Sequence, residues 1–190
     1  MTFQNKTAPN WVWMDLEMSG LNPEHDVILE IATVVTDANL KILGKGPVIA
    51  IHQPENILNG MDDWNTRHHT QSGLVERVRH SRYDTAAAEK ATLDFIRQYT
   101  VKHDREHSGN LLCGNSITQD RRFLYKYMPQ ISEWLSYRNI DVSSIKELAF
   151  RWFPNLPEFE KQERHQALDD ILESIAELEY YKKTIFHLAK

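Results

Sequence analysis

Asp15 and Glu17 stand two residues apart in the apolar stretch Trp11-Val12-Trp13-Met14-Asp15-Leu16-Glu17-Met18. On a strand they would share one face with Trp11 and Trp13, while Val12, Met14, Leu16 and Met18 pack on the other. Two like charges side by side on a half-buried face destabilise a fold unless a proton or a cation neutralises them. Further acids could join them. Asp120 ends the stretch Gly114-Asn115-Ser116-Ile117-Thr118-Gln119-Asp120, where a strand end feeds a helix start. The run His165-Gln166-Ala167-Leu168-Asp169-Asp170 supplies another. On a helical wheel Asp170 lies with Ala167 and Ser174, away from the apolar stripe, and small neighbours let that face approach other structure closely. His165 can meet Asp170 only from the loop ahead of the helix, because five residues turn a helix by about 140°. A histidine placed there suits a general base.

Each feature also has a plain reading. An Asp-x-Glu on a strand usually marks a solvated face, and an acid in a first helical turn is favourable dipole placement. Together, four carboxylates and a histidine suit one chemistry. All-oxygen ligands select hard cations, Mg²⁺ or Mn²⁺, over Zn²⁺. Two such ions roughly 4 Å apart stabilise the attacking and leaving oxygens of an in-line phosphoryl displacement.

The elements that must position these groups follow from pattern. Strands are expected at Trp11–Met18, Val27–Thr36 and Leu40–Ile51, the last broken by Gly44, Gly46 and Pro47. The turn Asp37-Ala38-Asn39 makes the second and third an antiparallel hairpin. A helical period runs from Asp84 to about Lys102, a short buried strand covers Leu111–Gly114, and a helix spans about Asp120–Met128. Asn139–Val142 reads as a last strand. Ser144-Ile145-Lys146-Glu147 reads as a capping box opening a helix to about Trp152. The final helix spans about Gln166–Phe186, with Leu168, Ile171, Leu172, Ile175 and Leu178 as its core stripe. The fold class is α/β, with a five-stranded mixed sheet, an antiparallel meander followed by parallel strands, flanked by helices.

Bulk composition sets limits on this reading. The 190 residues, 41% hydrophobic and 26% charged, suit one domain over residues 10–190. Residues 1–9 lack a signal-peptide pattern and read as a disordered leader. No apolar run reaches the roughly 18 residues that span a bilayer. Cys113 is the single cysteine, which fits a reducing cytoplasm. A net charge of −5 argues against a broad basic surface that coats long nucleic acid, though a short oligonucleotide in a pocket is compatible with it.

At these residues the sequence resembles the DEDDh family of 3′–5′ exonucleases, whose fold is ribonuclease H-like. Asp15-Leu16-Glu17, Asn115–Asp120 and His165–Asp170 match its three blocks in order, and the motif His-x-Ala-x-x-Asp selects Asp170 over Asp169. Within the family the closer resemblance is to the oligoribonuclease group. It rests on Asp15–Leu21, Ile28–Ala32, Gly114–Ile117 and Tyr137–Leu148, and runs from about Asn10 to near the C-terminus.

The resemblance implies that Asp15, Glu17 and Asp170 ligate one of two divalent ions (Mg²⁺ or Mn²⁺), that Asp15 bridges to the second, and that Asp120 supports it. His165 would accept a proton from the attacking water. The substrate would be short single-stranded RNA, dinucleotides above all, cut from the 3′ end to 5′-mononucleotides. Leu21 and Trp64 would hold the bases, and His69 and Ser116 would contact the substrate. Arg138 and Ser143 would cap the 5′ phosphate, with Tyr137 reaching the partner's site in a homodimer. Without the resemblance Trp64 would read as core, His68 and His69 as surface histidines, and Arg138 as a surface charge. Two rivals stand beside this reading: a DEDDh exonuclease acting on longer RNA or single-stranded DNA, and a nucleic-acid-binding module that has lost catalysis.

Overall fold

A computed structural model of the chain describes residues 9–103, 109–160 and 167–186. The expected leader falls almost wholly outside them, and so does His165. Strand β1 (Trp11–Met18) alternates as its sequence requires: Val12, Met14 and Leu16 enter one core, and Trp13 enters another on the opposite face. It runs antiparallel to β2 (Ile28–Thr36), which is buried along its whole length. The β2–β3 turn is longer than Asp37–Asn39. Asp37 accepts from the N–H groups of Asn39 and Lys41, and Leu40 takes a left-handed φ of 72°, so β3 starts at Ile42. The third expected strand divides at Gly46-Pro47 into β3 (Ile42–Lys45) and β4 (Ile49–Ala50), both antiparallel to β2. Proline has no N–H for a ladder, which explains the break.

Three helices then follow that the apolar period did not announce: α1 (Glu55–Leu58), α2 (Asp63–Gln71) and α3 (Leu74–His80). Each buries few side chains; α2 buries only Asn65 and His69, so its sequence carries almost no apolar stripe. Helix α4 (Thr85–Ile96) is capped by Asp84, which accepts from the Ala87 N–H, and it stops six residues before Lys102. Strand β5 (Leu111–Gly114) lies parallel to β1 and leads into α5 (Ile117–Tyr127); Pro129 opens α6 (Pro129–Trp134). Strand β6 (Asn139–Asp141) is parallel to β5. Helix α7 (Val142–Trp152) starts two residues ahead of the expected capping box, because the Asp141 carboxylate takes the Ser143 N–H. Helix α8 (Ala167–Thr184) completes the described chain.

The sheet order is β3-β2-β1-β5-β6, with β4 also on β2: a meander followed by parallel strands. One face packs against α4, α5 and α6, the other against α7 and α8. Along α8 the buried positions are Ala167, Ile171, Ser174, Ile175, Glu177, Leu178 and Tyr181, so the stripe is turned away from Leu168 and Leu172, which are only half-buried. Fully buried Trp13, Met14, Ile31, Leu112 and Phe123 anchor the sheet, each contributing about 1.5–3 kcal/mol. No helix among the described residues is long and apolar enough to cross a membrane.

Candidate active site

Alternation along β1 sends Asp15 and Glu17 to the face shared with Trp13, the side covered by α8. The first turn of α8 carries Asp170 to the same place. Carboxylate oxygens of Asp15, Glu17 and Asp170 all lie within 4.8 Å of one another. Asp120 arrives from α5 and is held by the main chain: its Oδ1 accepts from the Leu16 N–H at 2.9 Å. The turn into α5 passes close to β1, and a Cβ on Gly114 would sit 2.9 Å from the Met14 carbonyl oxygen. Four of the five expected catalytic side chains therefore converge. The fifth, His165, lies outside the described residues.

Burial pushes Asp15 well above the ordinary carboxylate range, and the charges of Asp120, Glu17 and Asp170 push it further. Glu17 is raised to about 7, by burial first and then by Asp170. Burial also lifts Asp120 to about 7, against the pull of the Leu16 N–H. The register that pairs β1 with β2 sets Glu17 directly opposite Glu30. Arg77 on α3 answers this repulsion with bonds of 3.1 and 3.2 Å to the Glu30 carboxylate. The cluster is an electronegative, oxygen-only donor set, and such a set fits hard divalent cations.

His69 is buried beside the cluster. Its Nε2 lies 2.9 Å from the Met18 carbonyl oxygen, which can only accept, so Nε2 carries the hydrogen. Nδ1 then offers a lone pair 3.8 Å from Glu17 Oε2 and has no hydrogen-bond partner among the described residues. His69 is thus a buried partner of the acidic face rather than a surface histidine. Trp64 and Leu21, at 67% and 70% exposure, are far more open to solvent than core residues of their type. Trp64 stacks on His68 with ring centroids 4.8 Å apart.

Leu21 sits on a loop held at several points. Asp26 accepts from Ser19 Oγ and the Asn22 N–H, and Gln119 Nε2 donates to the Leu21 carbonyl at 2.5 Å. Tyr127 reaches the carbonyls of Pro23 and Asp26. Gly20 leaves room for the Asp26 carboxylate, which a Cβ would meet at 2.5 Å and displace from its bonds to Ser19 and Asn22.

Ser116 and Ser143 are neighbours, with hydroxyls 3.2 Å apart. Ser116 takes a left-handed φ of 50°, and its N–H donates to Asp141 Oδ1 and Ser143 Oγ. Ser143 Oγ in turn donates to Asn115 Oδ1, and Asn115 Nδ2 donates to Ser174 and Glu177 on α8. Ser174 Oγ donates to the Asp170 carbonyl, which ties the serine pair to the acidic cluster. Tyr137 is exposed, and Arg138 Nε donates to its hydroxyl at 3.1 Å.

Several supporting residues carry no signal of their own in the sequence. Asn115, Gln119 and Asp141 fall inside quoted motifs without an assigned part. Glu30 could have been found by setting the β1–β2 register, whereas Arg77 is fixed only by the approach of α3.

Known proteins extend this geometry. The exonuclease (RNase_T) family model matches residues 12–178. The chain is 57% identical over 174 residues to an oligoribonuclease of Pseudomonas aeruginosa, covering 91% of this chain and 94% of that protein. It is 56% identical over 175 residues to one from Alcanivorax borkumensis, covering 92% and 94%. It is 53% identical over 180 residues to one from a Shewanella species, covering 94% and 97%. Among solved structures, exonuclease I of Methylocaldum szegediense superposes with a TM-score of 0.70 at 16% identity, covering 95% of this chain and 42% of that one. Exonuclease I of E. coli in complex with a dT13 oligonucleotide gives 0.68 at 15% identity, covering 92% and 41%. The chain therefore spans about two fifths of those structures' length, and they show its fold, the ribonuclease H-like exonuclease architecture. By its fold, its converging carboxylates and its relatives, the chain belongs to the exonuclease family and, within it, to the oligoribonucleases, hydrolytic 3′–5′ exoribonucleases of short RNA.

Proposed function

We propose that this enzyme takes dinucleotides as its characteristic substrate and releases 5′-mononucleotides with two divalent cations, Mg²⁺ or Mn²⁺. The observation that carries the proposal is the meeting of Asp15, Glu17 and Asp170 within 4.8 Å, with Asp120 bonded to the strand between them. Asp15, Glu17 and Asp170 would hold one cation, and Asp15 with Asp120 the other. When bound, such ions neutralise the crowded carboxylates and stabilise charge on the attacking and leaving oxygens of an in-line displacement. His165, five residues before Asp170, would take the proton of the attacking water.

At the 3′ side, the exposed Leu21 and Trp64 would sandwich the bases, with His69 and Ser116 against the substrate. At the 5′ side, Arg138 and Ser143 would grip the terminal phosphate, a task for which a guanidinium and a helix start are both suited. The exposed Tyr137 would serve the partner's site in a homodimer. Gripping two ends rather than a long track agrees with the net charge of −5. A reducing cytoplasm as the setting is part of the same proposal, supported by the single, buried Cys113.

Rates on a 5′-phosphorylated dinucleotide and on a strand some twenty nucleotides long test this directly. The dinucleotide is expected to be cut much faster per end. Equal or faster cleavage of the long strand overturns the preference.

A further inference from the structure

Arg121 follows Asp120 on α5, yet its side chain takes no part in the acidic cluster. It is 5% exposed, and its hydrogen-bond acceptors are neutral. Nη2 donates to the Ser136 carbonyl at 2.6 Å and to Asn139 Oδ1 at 2.7 Å, and Nε donates to Asn139 Oδ1 at 3.2 Å. The guanidinium carbon lies 5.7 Å from the Tyr125 ring centroid, and the Tyr125 side chain also interacts with the charge. Burying a full charge with no carboxylate to answer it is an expensive way to fill space. The guanidinium does more than fill space, because it satisfies the buried Ser136 carbonyl and Asn139 Oδ1 together, and an apolar side chain would leave both unpaired.

Its two acceptors suggest the reason. Ser136 and Asn139 are the residues immediately before and after Tyr137-Arg138. Ser136 is also fixed by its N–H to the Asn110 carbonyl at 2.9 Å, and Asn139 by its register with Leu112 on β5. Between these anchors Tyr137 stands 67% exposed, with Arg138 bonded to its hydroxyl. A segment of two residues pinned at both ends has little freedom left to lose when it meets a ligand.

We propose that Arg121 is a positioning residue for the substrate's 5′ end: it clamps the residues on either side of Tyr137-Arg138 and holds that pair in a fixed relation to the helix that carries Asp120. The inference rests on the reading of Arg138 as part of the 5′-phosphate cap. Asp120 and the clamp are consecutive on α5, so the cleavage site and the cap share one rigid frame.

The test uses the full-length protein and two variants. Arg121→Lys keeps the charge and loses the fork; Asn139→Ala removes an acceptor without touching α5. KM and kcat are measured on a dinucleotide with and without its 5′ phosphate. Each variant is expected to raise KM for the phosphorylated dinucleotide about tenfold, the scale of one misplaced charge-assisted contact. The dinucleotide lacking the phosphate should respond far less, and kcat should change little. An equal loss on both dinucleotides, or no loss in either variant, overturns the proposal, because a merely structural role would not separate them.

Arg138→Ala tests the cap itself. If it leaves the preference for the 5′ phosphate intact, the cap reading fails and the clamp falls with it. If it abolishes the preference while Arg121→Lys and Asn139→Ala do not affect it, the clamp alone fails. In the Arg138→Ala background Arg121→Lys should add no further loss of phosphate preference.

Discussion

The backbone N–H of Leu16 donates to Oδ1 of Asp120 across 2.9 Å, joining residues 104 apart in sequence. One short length of β1 therefore does two jobs. Its side chains on one face carry Asp15 and Glu17, and its main chain between them fixes another acid. The bond is a hydrogen bond to a carboxylate in a buried site, which is stronger than a neutral pair and sensitive to small displacements.

Replacing Asp15 should separate function from stability. Asp15→Asn is expected to lower turnover by about a thousandfold or more, as loss of a charge-stabilising group at a phosphoryl-transfer site does. In the presence of a chelator the same variant should melt higher than the parent, by about 2–4 °C for each kcal/mol of relieved repulsion. Rates with Mg²⁺ or Mn²⁺ and melting curves with chelator check both halves; unchanged turnover rejects the mechanism.

Acidity should stabilise the metal-free protein. The Glu17 carboxyl is raised from 4.5 to about 7 in the fold, so the native state holds its proton where the unfolded chain has released it. Asp120 behaves alike, raised from 3.8 to about 7. Stability from a raised carboxyl is fully present below the unfolded pKa and is lost as pH climbs towards the folded one. For Glu17 alone the loss is on the order of 3 kcal/mol between those limits. The metal-free melting temperature should fall over that interval, and added Mg²⁺ or Mn²⁺ should restore it near neutrality, with metal affinity rising as the ligands lose their protons. A melting temperature that is flat across this range contradicts the assignment.

The Leu21 loop offers a binding variant outside the metal ligands. Gln119→Ala removes the 2.5 Å bond to the Leu21 carbonyl. It is expected to raise KM for dinucleotides about threefold to tenfold with kcat little changed, as loss of one hydrogen bond in a positioning loop would. Gly20→Ala forces a methyl against the Asp26 carboxylate and should destabilise the protein by about 1–3 kcal/mol. Steady-state kinetics and denaturant melts read these outcomes.

Arg138→Ala should weaken dinucleotide cleavage by about tenfold to a hundredfold in kcat/KM, the scale of a charge-assisted phosphate contact. Its metal binding, followed by calorimetry, should equal the parent's, since no hydrogen bond or ion pair among the described residues joins Arg138 to the carboxylates. Removing the 5′ phosphate from the substrate should reproduce the loss in the parent and add little in the variant.

Local spacing made the acidic strand face legible, while the choice of Asp170 and the roles of the acids came from the family resemblance. The i, i+2 placement of Asp15 and Glu17 puts both on one strand face whatever the rest of the chain does, and the apolar alternation of β1 names the opposite face. The hairpin, the break at Pro47 and the end of α5 ahead of Pro129 follow from turn and proline chemistry. What lacked a local signature stayed hidden. Helix α2 buries only Asn65 and His69, so no apolar stripe announced the element that brings His69 against Glu17. The cap of α7 went to Asp141 rather than Ser144, because a strand end and a helix start compete for the same few residues.

Tertiary structure alone decided which distant groups meet. The β1–β2 register set Glu30 opposite Glu17 and made Arg77 necessary. The approach of α5 to β1 brought Asp120 to Leu16, and the packing of β6 beside α5 brought Arg121 to Ser136 and Asn139. Sequence periodicity fixes which way a side chain points from its own element. It carries no information about which element will lie across from it, because that is settled by burying apolar faces over the whole molecule.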